Sequence, residues 1–256
     1  MVRIVMESEN MDSSDPQKLI EAGIPIVGDQ REGLMHDKYM VIDRSDVWTG
    51  SMNFTDSGVY ADNNNFIRIH SPQIAENYTH DFEEMFVKGS FGDEKGASTT
   101  PNPIVRVEAT RIDSYFSPDG GTAQRITELL KNASESIHFL AYSFTNDDFG
   151  QALVQKAKSG LAVSGVMEQE QARSNLGTEY DPLRQAGIDV RLDGNSGLMH
   201  HKVFIIDGKV VILGSYNFSN SAEKNNDENV LIIFSPQLAQ LYLQEFQRVY
   251  NRAQSP

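Results

Sequence analysis

Apolar and polar positions alternate along this chain in the pattern of an α/β protein. DSYFS, from Asp113, reads as a strand, Thr122 to Asn132 as an amphipathic helix, and SIHFLAYSF, from Ser136, as another strand. A helix from Asp147 to Lys158 and the strand LAVSGVMEQ, from Leu161, continue the alternation. Two more amphipathic helices, Pro72 to Phe86 and Pro236 to Tyr250, each follow a serine and start on proline, a common helix opening. Between them Lys88 to Pro103 (KGSFGDEKGASTTPNP) has no apolar period, and its composition predicts a linker or long surface loop.

The pattern also repeats. A shift of 164 residues lays Leu19–Phe86 over Leu183–Tyr250 without a gap. GLMHDKYMVIDRSDVWTGSMNF, from Gly33, then matches GLMHHKVFIIDGKVVILGSYNF, from Gly197, at 12 of 22 positions. The first copy begins at VRIVMESE and lacks counterparts of about two strands and two helices that precede the second. The expected fold is α/β, with two related units whose mixed sheets are flanked by helices and face each other about a pseudo-two-fold axis. Residues 1–88 form the first, incomplete unit, 89–103 the linker and 104–256 the second unit. Either the chain is a piece of a longer protein, or a partner such as a second copy completes the first unit; an unfinished sheet leaves an edge or face that needs cover.

Inside each copy two short apolar strands flank a tight turn, with Gly208-Lys209 expected in one and Arg44-Ser45 in the other. Two-residue turns at these points set His36 across from Asn53, Lys38 from Ser51, His200 from Asn217 and Lys202 from Ser215. Residues two apart share a strand face, so each hairpin gathers an imidazole, an ammonium, a hydroxyl and an amide. Lys, Ser and Asn can stabilise the anionic oxygens of a phosphodiester under attack, while imidazole can attack phosphorus or move protons. The reaction uses two imidazoles, one as nucleophile and one to protonate the departing oxygen, and a duplicated unit supplies both.

His36-x-Lys38-x4-Asp43 with Gly50-Ser51-x-Asn53, and His200-x-Lys202-x4-Asp207 with Gly214-Ser215-x-Asn217, resemble the paired HxKxxxxD motifs of the phospholipase D superfamily. That resemblance spans the chain apart from the linker and implies a phosphohistidine intermediate, no metal or cofactor, and phosphoryl transfer to water or an alcohol. GSYNFSNSAEKNNDEN, from Gly214, is more similar to the small bacterial endonuclease branch than to the cardiolipin synthases. The family's histidine-orienting carboxylate matches Glu228, and the same offset from His36 falls on Asn64. The expectation is His200 as nucleophile sharpened by Glu228 and His36 as acid then base, with the reverse assignment also open. Asp43 and Asp207 lie an odd number of residues from their lysines, so they are expected at the hairpin ends in a structural role.

Composition narrows the partners. The chain has 256 residues, 39% hydrophobic and 23% charged, and the absence of cysteine removes disulfide, thiol and thiolate-metal chemistry. No apolar run approaches a membrane span, and the N-terminus is unlike a signal peptide. A formal charge of -14 argues against bulk attraction to nucleic acid or anionic membrane, so a polyanion has to be met locally. Arg31, Arg173, Arg184, Arg191 and Lys224 are candidates to line such a mouth. His70, His80, His138, His201 and Trp48 read as packing or surface residues. The leading expectation is a nuclease-like phosphodiesterase; the alternatives are action on phospholipid headgroups and a PLD-like binding module without activity.

Overall fold

A computed structural model describes residues 1–95, 100–118 and 120–254. The first repeat runs β1 (Ile4–Met6), α1 (Ser14–Glu21), β2 (Ile26–Gly28), β3 (Tyr39–Ile42), β4 (Asp46–Gly50), α2 (Asp56–Tyr60), β5 (Phe66–His70) and α3 (Pro72–Phe86). After β6 (Ile104–Val107) come β7 (Thr110–Ser117), α4 (Thr122–Asn132), β8 (Ser136–Ala141), α5 (Asp147–Lys158) and β9 (Ala162–Met167). The chain ends with α6 (Gln169–Ser174), α7 (Tyr180–Gln185), β10 (Asp189–Leu192), β11 (Lys202–Ile206), β12 (Val210–Gly214), α8 (Asn220–Lys224), β13 (Glu228–Phe234) and α9 (Pro236–Arg252). Ser71 and Ser235 cap α3 and α9 by accepting from the N–H groups of Ile74 and Leu238, with proline in the first turn of each helix.

Eight strands form one mixed sheet in the order β10-β9-β8-β11-β12-β13-β7-β6. In the first repeat the same plan is split into a parallel pair, β1-β2, and an antiparallel triplet, β3-β4-β5. The split falls where β8 stands in the second repeat, between β9 and β11, because nothing in these 256 residues repeats β7 through α5. The consequence shows on β3. Met40 and Ile42 are 42% and 44% exposed, whereas their counterparts Phe204 and Ile206 are 0% and 3% exposed in a core shared with α4 and α5. The other face of the large sheet builds the seam. Leu140, Val203, Val211 and Leu231 pack there with α9 and with Val47, Ile74 and Tyr78 of the first repeat. Among the described residues no helix is long and apolar enough to cross a membrane.

Both hairpins turn one residue earlier than their composition suggests. Asp43-Arg44 and Asp207-Gly208 adopt left-handed backbone, closed by Ser45 N–H to Ile42 O at 3.1 Å and Lys209 N–H to Ile206 O at 3.0 Å. Asp tolerates that region and Gly enters it freely, so Asp-Gly outcompetes Gly-Lys for the turn. Ile42 therefore pairs with Asp46 and Ile206 with Val210. A one-residue shift exchanges the faces of a strand, so the expected Lys38–Ser51 and Lys202–Ser215 facing pairs, and with them His36–Asn53 and His200–Asn217, do not form.

Part of the segment between the repeats is packed against the protein, although Lys88, Gly89, Asp93, Glu94, Pro101 and Pro103 are exposed as a surface loop would be. Residues 96–99 lie outside the described residues, but Phe91 and Gly92 before them are buried, and the Lys95 side chain is 2% exposed between Asp81 and Asp227 at 2.7 Å each. Although burial opposes the charge, Asp81, Asp227 and Asp37 raise the Lys95 ammonium above its usual range. Lys95→Met strips a cation from a buried carboxylate cluster and should cost about 3–5 kcal/mol of stability. Urea unfolding checks this, and a loss within about 0.5 kcal/mol would assign the cluster to the surface class.

Candidate active site

The duplicated segments meet by exchanging equivalent backbone bonds. Met35 bridges to Asp227 and Asn63 to Met199, and each pair is the other shifted by 164 residues. His36 N–H donates to Asp227 O at 3.0 Å, and His200 N–H donates to Asn63 O at 2.9 Å. Contacts of this reciprocal form are the signature of a two-fold relation, internal to one chain here. They bring His36, Lys38, His200 and Lys202 into one group. Each lysine ammonium reaches back to the carbonyl of its histidine, Lys38 to His36 O at 2.6 Å and Lys202 to His200 O at 3.0 Å.

The same crossing corrects the pairing of Glu228. Because the strand carrying it lies beside the other repeat's histidine, Glu228 binds His36 Nδ1 at 2.8 and 2.9 Å and not His200. His200 Nδ1 lies 2.9 Å from Ser51 O and 3.1 Å from Asn64 Oδ1. Both partners are acceptors, so Nδ1 carries the hydrogen and the Nε2 lone pair is left for chemistry. Asn64 in turn donates through Nδ2 to Gly58 O at 2.7 Å, which fixes its amide orientation.

Charge separates the two imidazoles. Burial first, then Lys202, Lys38 and His36, push the His200 imidazole down to about 2, so it is neutral at any working pH. Burial and the lysines also lower His36, but Glu228 works in the opposite sense and supports its charged form. Burial alone would raise Glu228; His36, Lys38 and Ser215 outweigh it and hold the carboxyl below its ordinary value. Burial brings the Lys38 ammonium down to about 8 although Glu228 and Asp37 support its charge, and burial followed by Lys38 drives Lys202 well below its usual range against the support of Glu228. Glu228 is the carboxylate bonded to this group and burial holds Asp37 toward its neutral form, so the two lysines leave the group short of negative charge, which one phosphodiester anion would supply.

Ser51 and Ser215, expected as donors to the phosphate, lie behind the histidines and are 0% exposed. Ser215 Oγ accepts from Asn229 N at 3.0 Å, and Ser51 Oγ accepts from Asn65 N and Nδ2 at 3.2 Å each. Their own protons go to the histidine-orienting groups, Ser51 to Asn64 Oδ1 at 3.4 Å and Ser215 to Glu228. Sequence reasoning passed over the asparagines behind them, whose duplication was visible in the 164-residue register. Asn229 Nδ2 also reaches Asp37 at 2.7 Å, and Asn65 Nδ2 reaches His201 Nδ1 at 3.1 Å. His201 is thus a fully buried member of this rear layer, held on its other nitrogen by Glu245 at 3.0 Å.

Asn53 and Asn217 are half-buried, and Asn217 lines a cleft together with Tyr142. Asn217 Oδ1 is buried without a hydrogen-bond partner. Asp207 accepts from the backbone N–H groups of Ser134, Glu135 and Ser136 at 2.7–3.0 Å, the hairpin-end role expected for it. Asp43 is exposed, since the first repeat contains no counterpart of residues 134–136. His138 bonds Ser164 and stacks against Phe246, His70 and His80 sit on carboxylates at the surface, and Trp48 stacks on Phe66. Of the five basic candidates for the mouth only Arg31 borders the cleft beside the site, and Asp227 already pairs with it.

Residues 1–86 and 126–250 match the family described as cardiolipin synthase, PLD-like domain. A protein named phospholipase D from Rickettsia typhi is 36% identical over 143 residues, covering 56% of this chain and 70% of its own length. Nuc from Salmonella typhimurium, a solved phospholipase D family member, is 30% identical with a TM-score of 0.54, covering 57% of this chain and 98% of Nuc. Phosphatidylserine synthase from Haemophilus influenzae superposes on all of this chain and 74% of its own with a TM-score of 0.75; at 12% identity it shares the fold alone.

Proposed function

The chain belongs to the phospholipase D superfamily of phosphodiesterases, and from that premise we propose that it hydrolyses a phosphodiester through a histidine adduct at the seam of two units, residues 1–88 and 104–256. The unlike partners of the two imidazoles carry this reading. His200, neutral and with Nδ1–H held by Ser51 O and Asn64, presents Nε2 as the nucleophile. His36, whose protonated form Glu228 supports, is the acid.

In the first step His200 Nε2 bonds to phosphorus, the bond to the leaving alcohol breaks, and His36 gives that oxygen its proton. In the second, neutral His36 takes a proton from water, the hydroxide oxygen bonds to phosphorus, and the bond to His200 breaks. Lys38 and Lys202, with Asn53 and Asn217, stabilise the non-bridging oxygens. Likeness to Nuc supports a nucleic acid substrate, and the name of the Rickettsia relative supports a phospholipid.

A substrate panel in EDTA tests the reading. Turnover of bis-p-nitrophenyl phosphate is expected to persist in EDTA, with plasmid DNA and phosphatidylcholine separating the two substrate classes. Activity that disappears in EDTA and returns with a divalent metal would sink the histidine-adduct reading. No turnover of any member would favour a binding module.

A further inference from the structure

A cleft of about 880 Å³ opens beside the reacting groups. Tyr142 forms its inner wall, with its ring 4.6 Å from the His200 ring and 4.7 Å from Lys202 Nζ. Beyond it the lining includes Ser143, Thr145, Gln171, Asn175 and Asn217. We infer that this cleft binds an uncharged, hydroxyl-rich alcohol esterified to the scissile phosphate, so that the protein selects a lone phosphodiester over an internal phosphate of a polynucleotide. The inference rests on the phosphodiesterase reading and names its substrate class.

Amides and hydroxyls both donate and accept, as alcohol hydroxyls do, whereas a phosphate only accepts and calls for cations. Asn217 Oδ1, buried and unpartnered, requires a donor, and a phosphate oxygen cannot be one. The one basic residue among the described lining, Arg31, is committed to Asp227 and to the carbonyls of Leu34 and Asn225. Glu32 and Asp93 add carboxylates to the wall. A nucleic acid strand carries a charge at every nucleotide, about 3.4 Å apart along a duplex axis, so cleavage at an internal position would set a second phosphate in this cleft against two carboxylates. A glycerol- or sugar-like group meets no such penalty. Sites built to hydrogen-bond hydroxyls discriminate strongly against ligands that cannot return the bonds.

Glycerophosphoglycerol and a trithymidylate oligonucleotide serve as probes, compared by titration calorimetry and by kcat/KM against bis-p-nitrophenyl phosphate. The glycerol diester is expected to bind at least about 10-fold more tightly at 0.15 M salt. Gln171→Leu and Asn175→Leu should each weaken it about 10-fold, mainly through KM, relative to the nitrophenyl ester. Thr145→Val removes a single hydroxyl with little change of shape and keeps the test open if a leucine variant unfolds. Gln155→Leu, exposed on α5, should change neither substrate. Phosphatidylglycerol vesicles beside the soluble diester separate a lipid headgroup from a free source of the same chemistry. Equal or tighter binding of the oligonucleotide, or folded variants that bind the glycerol diester like the parent, would overturn the inference. Loss of nitrophenyl ester turnover would refute the histidine adduct instead, while calorimetry still reports on the cleft.

Discussion

The His36→Ala protein is expected to release one equivalent of p-nitrophenolate from bis-p-nitrophenyl phosphate and then stall, while His200→Ala releases none. p-Nitrophenolate is stable as an anion and leaves without a proton, so loss of the acid spares the first bond change with this ester. Hydrolysis of the adduct still needs a base for water, and in His36→Ala the imidazole that remains of the reacting pair is itself bonded to phosphorus. Steady-state turnover should fall by about 10²–10⁴ in His36→Ala, the usual worth of general acid–base catalysis, and further in His200→Ala. Rapid quench followed by mass analysis locates the adduct. A burst in His200→Ala together with none in His36→Ala would reverse the two roles.

Replacing Glu228 by Gln should reduce kcat by about 10²–10³ and move the basic limb of its pH profile to lower pH. The acid has to be protonated for the first step, so activity falls as pH rises through the pKa of His36. Glu228 raises that pKa against burial and the lysines. A neutral amide keeps a hydrogen-bond acceptor at His36 Nδ1 but removes the charge, so the protonated form is lost at lower pH. Asn64 already plays this part behind His200, which is pushed down to about 2. Lys38 should drop further as well, since Glu228 is the main group supporting its charge. A basic limb that stays in place in Glu228→Gln would assign it to a group other than His36.

The two HxK pairs and their duplication were legible because identical spacing survives in the chain whatever the fold does. So were the capped helices α3 and α9, whose Ser-Pro starts and apolar period are local. The turn position was not. Gly208-Lys209 and Asp207-Gly208 are both acceptable by composition, and their difference is a single residue of register. That residue moved Ser51 and Ser215 from the expected phosphate face to the layer behind the histidines. Within the Lys88 to Pro103 segment the sequence did not reveal the packed residues: Lys95 reads as solvated, yet its side chain is enclosed between Asp81 and Asp227.

By itself the sequence determined the α/β class and the duplicated HxK motifs whose resemblance points to phosphodiester chemistry, since class and duplication follow from residue type and repeated spacing. Only the tertiary structure decided which group serves which. The two units exchange strands' ends across the seam, so Glu228 lies against His36 and Asn64 against His200. Offsets along one copy cannot reveal this crossing, because the partner of each histidine comes from the other copy. The cleft is likewise tertiary, assembled from segments around Arg31, Tyr142, Asn175 and Asn217 that are far apart along the chain. A net charge of -14 is compatible with a phosphodiester site because two buried lysines dominate over the few ångströms where the phosphate would lie.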